Sequence, residues 1–132
     1  MEVHAAVLRA LGAELGVRHG LSVNEFDVLV NIPRHGIRHR DLTCRVILTQ
    51  SALSRLLDRL EVRGLIRRRS AGDDGRGVEV ELTAAGGRLQ RQAMRTNADV
   101  VDREFAGKLD PAVLSALGMA FERLLHPDRP GE

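Results

Sequence analysis

Thr49-Gln50-Ser51-Ala52-Leu53-Ser54-Arg55-Leu56-Leu57-Asp58-Arg59-Leu60-Glu61-Val62-Arg63-Gly64 is the stretch whose reading decides the fold. The Thr49 hydroxyl can accept one of the N–H groups that a first helical turn leaves unpaired, and Gly64 suits the left-handed residue that ends a helix. The stretch therefore predicts a helix of about four turns. With each residue advancing about 100°, Leu53, Leu56, Leu57 and Leu60 form one apolar stripe. Ser51, Arg55 and Asp58 centre the opposite face, with Ser54 and Arg59 beside them. Short polar side chains near a helix N-terminus, followed by two arginines one turn apart, are the groups that reach base edges and phosphates in a major groove. An ordinary amphipathic surface helix has the same pattern, so the helix alone does not decide its function.

The flanks narrow the choice. Upstream, Arg40-Asp41-Leu42-Thr43-Cys44-Arg45-Val46 has the length and apolar spacing of a short helix, and only Ile47 and Leu48 separate it from Thr49. That is a helix-turn-helix. Downstream, Leu65 to Arg69 and Val78 to Leu82 read as two strands joined by the Gly/Asp-rich tip Ser70 to Gly77. A helix-turn-helix followed by a basic hairpin is a winged helix.

The run from Leu21 to about Leu89 resembles the MarR family of bacterial transcriptional regulators. The resemblance is carried by Leu21-Ser22-Val23-Asn24-Glu25-Phe26-Asp27-Val28-Leu29, by Ser54 to Arg68, and by Asp74-Gly75-Arg76-Gly77-Val78 through Gly86. It implies that the Asp-x-Arg of the wing, Asp74 and Arg76, sets an arginine at the minor groove. It also implies that flanking helices make a homodimer, and that a small molecule, often an aromatic acid or phenol, binds where those helices meet the winged helix. Arg9, His19, Arg91 and Arg95 are in reach of such a cleft or are solvated helix residues. The chain departs from the family pattern at Ile47, where a glycine is common, and in the glycine-rich run from Gly72 to Gly77.

Composition agrees with a DNA-binding role. Hydrophobic residues make up 43% of the 132, which argues against disorder, whereas aromatics are only 2%, so the core must be Leu, Val and Ala. Three Phe with no Tyr or Trp leave little for base stacking. Net charge is +2, but from Arg34 to Arg76 eleven Arg face five acidic residues, a balance of +6 that leaves −4 on the rest. The positive charge thus sits on the proposed reading head, as phosphate attraction requires. The sequence shows no signal peptide and no run long enough to cross a bilayer, and its single cysteine, Cys44, suits a reducing compartment; a cytoplasmic location is expected.

Taken in order, Val3, Val7, Leu8, Leu11 and Leu15 repeat at helical spacing up to Gly20. Ser22 and Glu25 form a capping box, with Leu21 stapling against Phe26, and open a helix carrying Phe26, Leu29, Val30 and Ile32 before Pro33 stops it. Arg34 to His39 is a connection able to pair with the wing as a short strand. Thr83 caps a long helix to about Ala106, marked by Leu89, Ala93, Val100 and Phe105, with Gly86 and Gly87 loosening its first turn. Asp110-Pro111 opens a last helix with Val113, Leu114, Leu117, Phe121, Leu124 and Leu125 on one side, ended by Pro127.

The expected fold is mainly α with a small β-hairpin wing (α+β), one domain over 1–132: a winged helix over 23–83, with helices in 1–22 and 84–132 for dimerisation. The terminal helices carry more apolar surface than the winged helix can cover. Val7, Leu11, Val113, Leu117, Phe121 and Leu124 are the expected dimer contacts; a monomer with these helices folded on each other is the alternative. A two-fold dimer would read a pseudo-palindromic operator in double-stranded DNA through half-sites about 34–36 Å apart. Gln50, Ser51, Ser54 and Arg55 are the expected base readers. Arg59, Arg67, Arg68 and Arg69 are expected at phosphates, with Asp74 and Arg76 at the minor groove.

The resulting function is a repressor relieved by a small ligand. Its competitors are an oxidation sensor acting through Cys44 and a winged helix that binds protein by the same exposed helix. His35, His39 and Cys44 lack the tight pattern of a zinc site, so neither metal nor cofactor is expected. No nucleophile, base and orienting group occur together, which argues against an enzyme.

Overall fold

The computed structural model describes residues 2–70 and 77–125. Helices α1 (Glu2–His19) and α2 (Val23–Val30) come first, followed by strand β1 (Ile37–Arg38) and helices α3 (His39–Arg45) and α4 (Gln50–Val62). Strands β2 (Ile66–Ser70) and β3 (Val78–Leu82) make the wing, and α5 (Ala84–Glu104), a 3₁₀ turn (Ala106–Lys108) and α6 (Pro111–Leu125) complete the chain. The mainly helical winged helix-turn-helix expected from the sequence is the observed fold.

The helix ends follow local chemistry. Glu25 N–H donates to Ser22 Oγ and Ser22 N–H to Glu25 Oε1, both at 3.1 Å, closing the capping box. Thr49 and Thr83 cap α4 and α5 by accepting from Ala52 and Gly86 N–H. Gly64, at φ +73°, ends α4, and Leu65 N–H donates back to the Leu60 carbonyl, closing a Schellman turn. Two expected boundaries shift. Helix α2 stops at Val30 with Asn31 as its cap, so Ile32 is buried from the following turn rather than from the helix. Helix α5 ends at Glu104, giving way to the 3₁₀ turn.

The sheet is antiparallel in the order β1-β3-β2, with Ile37 opposite Val80 and Ile66 opposite Leu82. The expected pairing of the 34–39 connection with the wing is therefore present. Side chains alternate faces along a strand, so Ile66 and Arg68 share the inner face with Ile37, Val80 and Leu82. Arg67 and Arg69 point outward with their partners Glu81 and Glu79.

Leu11 and Leu15 of α1, Phe26, Val28 and Leu29 of α2, the four α4 leucines, Val80, and Ala93 and Val100 of α5 build one core. Two features of α5 join it to the rest. A Cβ on Gly86 would lie 1.8 Å from the Leu65 carbonyl oxygen, so only glycine lets the helix start this close to the end of the recognition region. Gln90 Nε2 donates to the carbonyls of Leu29 (2.6 Å) and Ile32 (3.0 Å), which fastens α5 to the C-terminal end of α2 and the turn after it. Among the described residues no helix is long and apolar enough to cross a membrane.

Helix α6 stands apart. Among the described residues it makes no extensive packing with any other element, and Val113, Leu114, Met119, Phe121 and Leu124 are all exposed.

Candidate nucleic-acid interface

The apolar stripe of α4 is fully used: Leu53, Leu56, Leu57 and Leu60 are buried. Its other side is left open. Gln50, Ser51, Arg55, Asp58 and Arg59 are exposed and Ser54 is half-buried. Ser51 Oγ lies 3.4 Å from the capping Thr49 hydroxyl, while the side chains of Gln50, Ser54, Arg55 and Arg59 make no hydrogen bond or ion pair among the described residues. A row of unpaired donors and acceptors at and beyond a helix N-terminus is equipped to bond something external.

The three consecutive arginines of β2 do not act together, because the strand pleat divides them. Arg67 is exposed and has no partner among the described residues. Arg69 faces outward too, but its guanidinium is 2.7 Å from Glu81 and 3.8 Å from Glu79. Arg68, on the inner face, reaches back to α4: Nη2 is 2.5 Å from Asp58 Oδ1 and 3.2 Å from Glu61 Oε1. Its backbone N–H also donates to Glu61 Oε2 at 3.0 Å. Hydrogen bonding to Glu61, and then to Asp58, pushes the Arg68 pKa up; the Arg68 hydrogen bonds draw the Glu61 carboxyl below its usual value. Of the four arginines expected at phosphates, Arg59 and Arg67 are therefore uncommitted, whereas Arg68 and Arg69 are already paired within the chain.

Asp74 and Arg76 lie outside the described residues, as do Pro127 and the tail after it. Of the expected dimer contacts, Leu11 is only 5% exposed and belongs to the protomer's own core. Val7 and Leu117 are half-buried, and Val113, Phe121 and Leu124 are open. Cys44 is exposed on α3, not packed in the core. No group of three potential metal ligands is present among the described residues.

Three residues matter more than their sequence signals showed. Arg63 leaves the end of α4 to bond the C-terminal carbonyls of α1. Thr96 is a polar residue at a buried position of α5, 3% exposed, and its hydroxyl is 2.7 Å from His19 Nε2. The signal for Thr96 was its place on the Leu89, Ala93, Val100 stripe. Gln90 had no such signal, since its partners lie some sixty residues away.

A MarR family model matches residues 19–77. The fold extends that likeness to nearly the whole chain: the DNA complex of Sco3205, a MarR family transcriptional regulator from Streptomyces coelicolor, superposes with a TM-score of 0.79 at 25% identity, covering 98% of this chain and 83% of that one. The chain is similar to the MarR family in sequence over residues 19–77 and in fold over nearly its whole length. CouR from Rhodococcus jostii RHA1, solved with p-coumaroyl-CoA bound, gives a TM-score of 0.78 at 26% identity over 98% of this chain and 91% of its own. The HTH-type transcriptional regulator PecS of Dickeya dadantii (strain 3937) is 34% identical over 73 residues, 52% of this chain. The chain spans 44% of the PecS length. Sco3205 and PecS are named as transcriptional regulators.

Proposed function

We propose that this chain is a MarR-type, cytoplasmic, homodimeric regulator that reads operator DNA with α4 and represses by occupying it. The observation that carries the proposal is the outer face of α4, where Gln50, Ser54, Arg55 and Arg59 stand without partners among the described residues above a fully buried leucine stripe. Gln50, Ser51, Ser54 and Arg55 take the base edges, Arg59 and Arg67 the phosphates, and Asp74 with Arg76 the minor groove. Residues 23–83 form the DNA-binding part. The helices of 1–22 and 84–132 form the dimer, for which the uncovered apolar side of α6 supplies surface. The DNA in the Sco3205 complex supports the choice of partner.

A small organic acid is the proposed effector. At the base of the wing, Arg34, Arg88 and Arg91 line an open hollow with Gln90 and Thr83, a setting in which a carboxylate would meet guanidinium groups. The p-coumaroyl-CoA bound to CouR supports the existence of a small-molecule effector, though not a carboxylate as its binding group.

Fluorescence anisotropy with the DNA upstream of the chain's own gene and with a scrambled duplex, across a salt series, tests the reading. Tight binding to the first alone, weakening steeply with salt, is the expected result. Equal weak binding to both there, and to every duplex recovered by genomic selection, would refute sequence-specific reading.

A further inference from the structure

We infer that Arg63 is a positioning residue that fixes the angle of α4 against the α1/α5 frame, and with it the half-site separation the dimer accepts; this rests on the DNA-binding reading above. Arg63 is the C-terminal cap of α4, its backbone N–H bonded to the Arg59 carbonyl. Its guanidinium crosses to another part of the fold. Nη1 donates to the Gly20 carbonyl at 3.0 Å and Nη2 to the His19 carbonyl at 3.3 Å, while Nη1 is 3.5 Å from Glu25 Oε2. These acceptors are the carbonyl of the last residue of α1, that of Gly20 just after it, and a carboxylate in the first turn of α2.

The chemistry of that contact is specific. Carbonyls at a helix C-terminus lack intrahelical donors and carry partial negative charge, so a cation there is both hydrogen-bonded and favoured by the dipole. A planar guanidinium can hold two carbonyls at once, which an ammonium on a flexible stem cannot do with the same geometry. Among the described residues, the Arg63 side chain makes every hydrogen bond between the end of α4 and the α1–α2 junction.

The link continues to α5. His19, whose carbonyl holds Arg63, has its ring nitrogen 2.7 Å from the buried Thr96 hydroxyl, to which Arg18 Nη1 also donates at 3.5 Å. One residue of α1 is thus bonded through its main chain to α4 and through its side chain to α5. Any shift of α5 against α1 is carried to the recognition helix through this path, and in a two-fold dimer a change in the angle of α4 changes the distance between the two reading faces.

Operator spacing tests this in a way that a general loss of stability would not imitate. The tightest duplex that the full chain selects from a random library would be rebuilt with one base pair added to or removed from its centre. The wild-type chain should prefer the selected spacing by about tenfold or more, and Arg63→Ala should bring that ratio close to one while leaving the base preferences within each half-site unchanged. Arg63→Lys should fall between them, and Thr96→Val, which touches no DNA, should move the ratio in the same direction. If Arg63→Ala does not fold, Arg63→Lys is read on the same scale. A wild-type spacing ratio in the folded Arg63 variants, whatever the absolute loss of affinity, overturns the inference alone. Failure of the wild-type chain to select any duplex overturns the proposed function and this inference with it.

Discussion

Arg68 of β2 and Asp58 of α4 stand 2.5 Å apart, nitrogen to oxygen, and tie the wing strand to the helix that carries the reading face. Because Glu61 shares the same guanidinium, two carboxylates on the recognition helix have one counter-charge from within the chain. Without that counter-charge, both would face incoming phosphates. Under the proposed DNA-binding reading, Arg68 would serve from behind the interface rather than at a phosphate.

Salt dependence separates the two roles. Each phosphate that a cationic side chain neutralises contributes about 0.9 to the slope of log affinity against log salt. Arg67→Ala should lower the slope by about that amount for every phosphate the arginine neutralises, whereas Arg68→Ala should weaken binding and leave the slope nearly unchanged. Equal falls in slope for the two variants would return Arg68 to the phosphate-binding set.

The same network sets a pH response. The Glu61 pKa is lowered in the folded chain by its hydrogen bond from Arg68. A depressed carboxyl adds stability that is fully present above the unfolded value, about 4.3 for Glu, and is lost as pH falls through the folded value. The wild-type chain should melt at a higher temperature than Glu61→Gln near neutral pH, with the difference closing on the acid side of that value. A difference between the two melting temperatures that stays constant from neutral to acid pH would show that the Glu61 charge contributes nothing.

Arg55 is the test of base reading. It is exposed on α4 with no partner among the described residues, so Arg55→Ala should not disturb the fold. It should cost about 1–3 kcal/mol at the cognate base pair and less on a scrambled duplex. Equal losses on both, measured by titration, would demote it to a phosphate-binding residue.

Much of this is legible in the sequence. Thr49, the leucine stripe and Gly64 define α4 by local rules of capping and periodicity, and these survive folding because nothing distant competes with them. The 34–39 connection is readable as a segment able to pair with the wing, whereas its register, Ile37 opposite Val80, is set by residues far along the chain. The Arg67-Arg68-Arg69 run reads as one basic patch only if the two-residue period of a strand is ignored, since that period already separates its middle member. Gln90 is not readable, because its partners are set by the docking of α5 on α2. Leu11 shows the limit of apolar patterning: a helical stripe says that a residue is covered, not whether its own chain or a second copy covers it.

Two adjacent glycines should respond oppositely to the same substitution. Gly86→Ala drives a methyl into the Leu65 carbonyl, whereas a Cβ on Gly87 meets nothing closer than Arg91 Nη1 at 3.6 Å. Gly86→Ala should therefore destabilise by about 1–3 kcal/mol or more, as backbone must move. Gly87→Ala should stabilise by up to about 1 kcal/mol, because alanine loses less freedom in a helix. Urea denaturation of both variants decides the matter, and a Gly86→Ala chain as stable as wild type would mean that α5 does not sit this close to Leu65.

The exposed side of α6 gives the last prediction. Phe121 is 57% and Leu124 76% exposed, on a helix with no extensive packing among the described residues. Leaving such a side in water forgoes about 25 cal/mol for each Å² of apolar surface, which a second copy would recover. Phe121→Asp with Leu124→Arg places charges where that copy would sit while leaving the core of the protomer untouched. Sedimentation velocity should show a dimer for the wild-type chain and a folded monomer for the double variant. DNA affinity should then fall by far more than the removal of one reading residue would cause, since two linked reading heads bind with an effective concentration that a monomer lacks. A double variant that sediments as a dimer would place the interface elsewhere in the terminal helices, with Val7 on α1 the next position to charge.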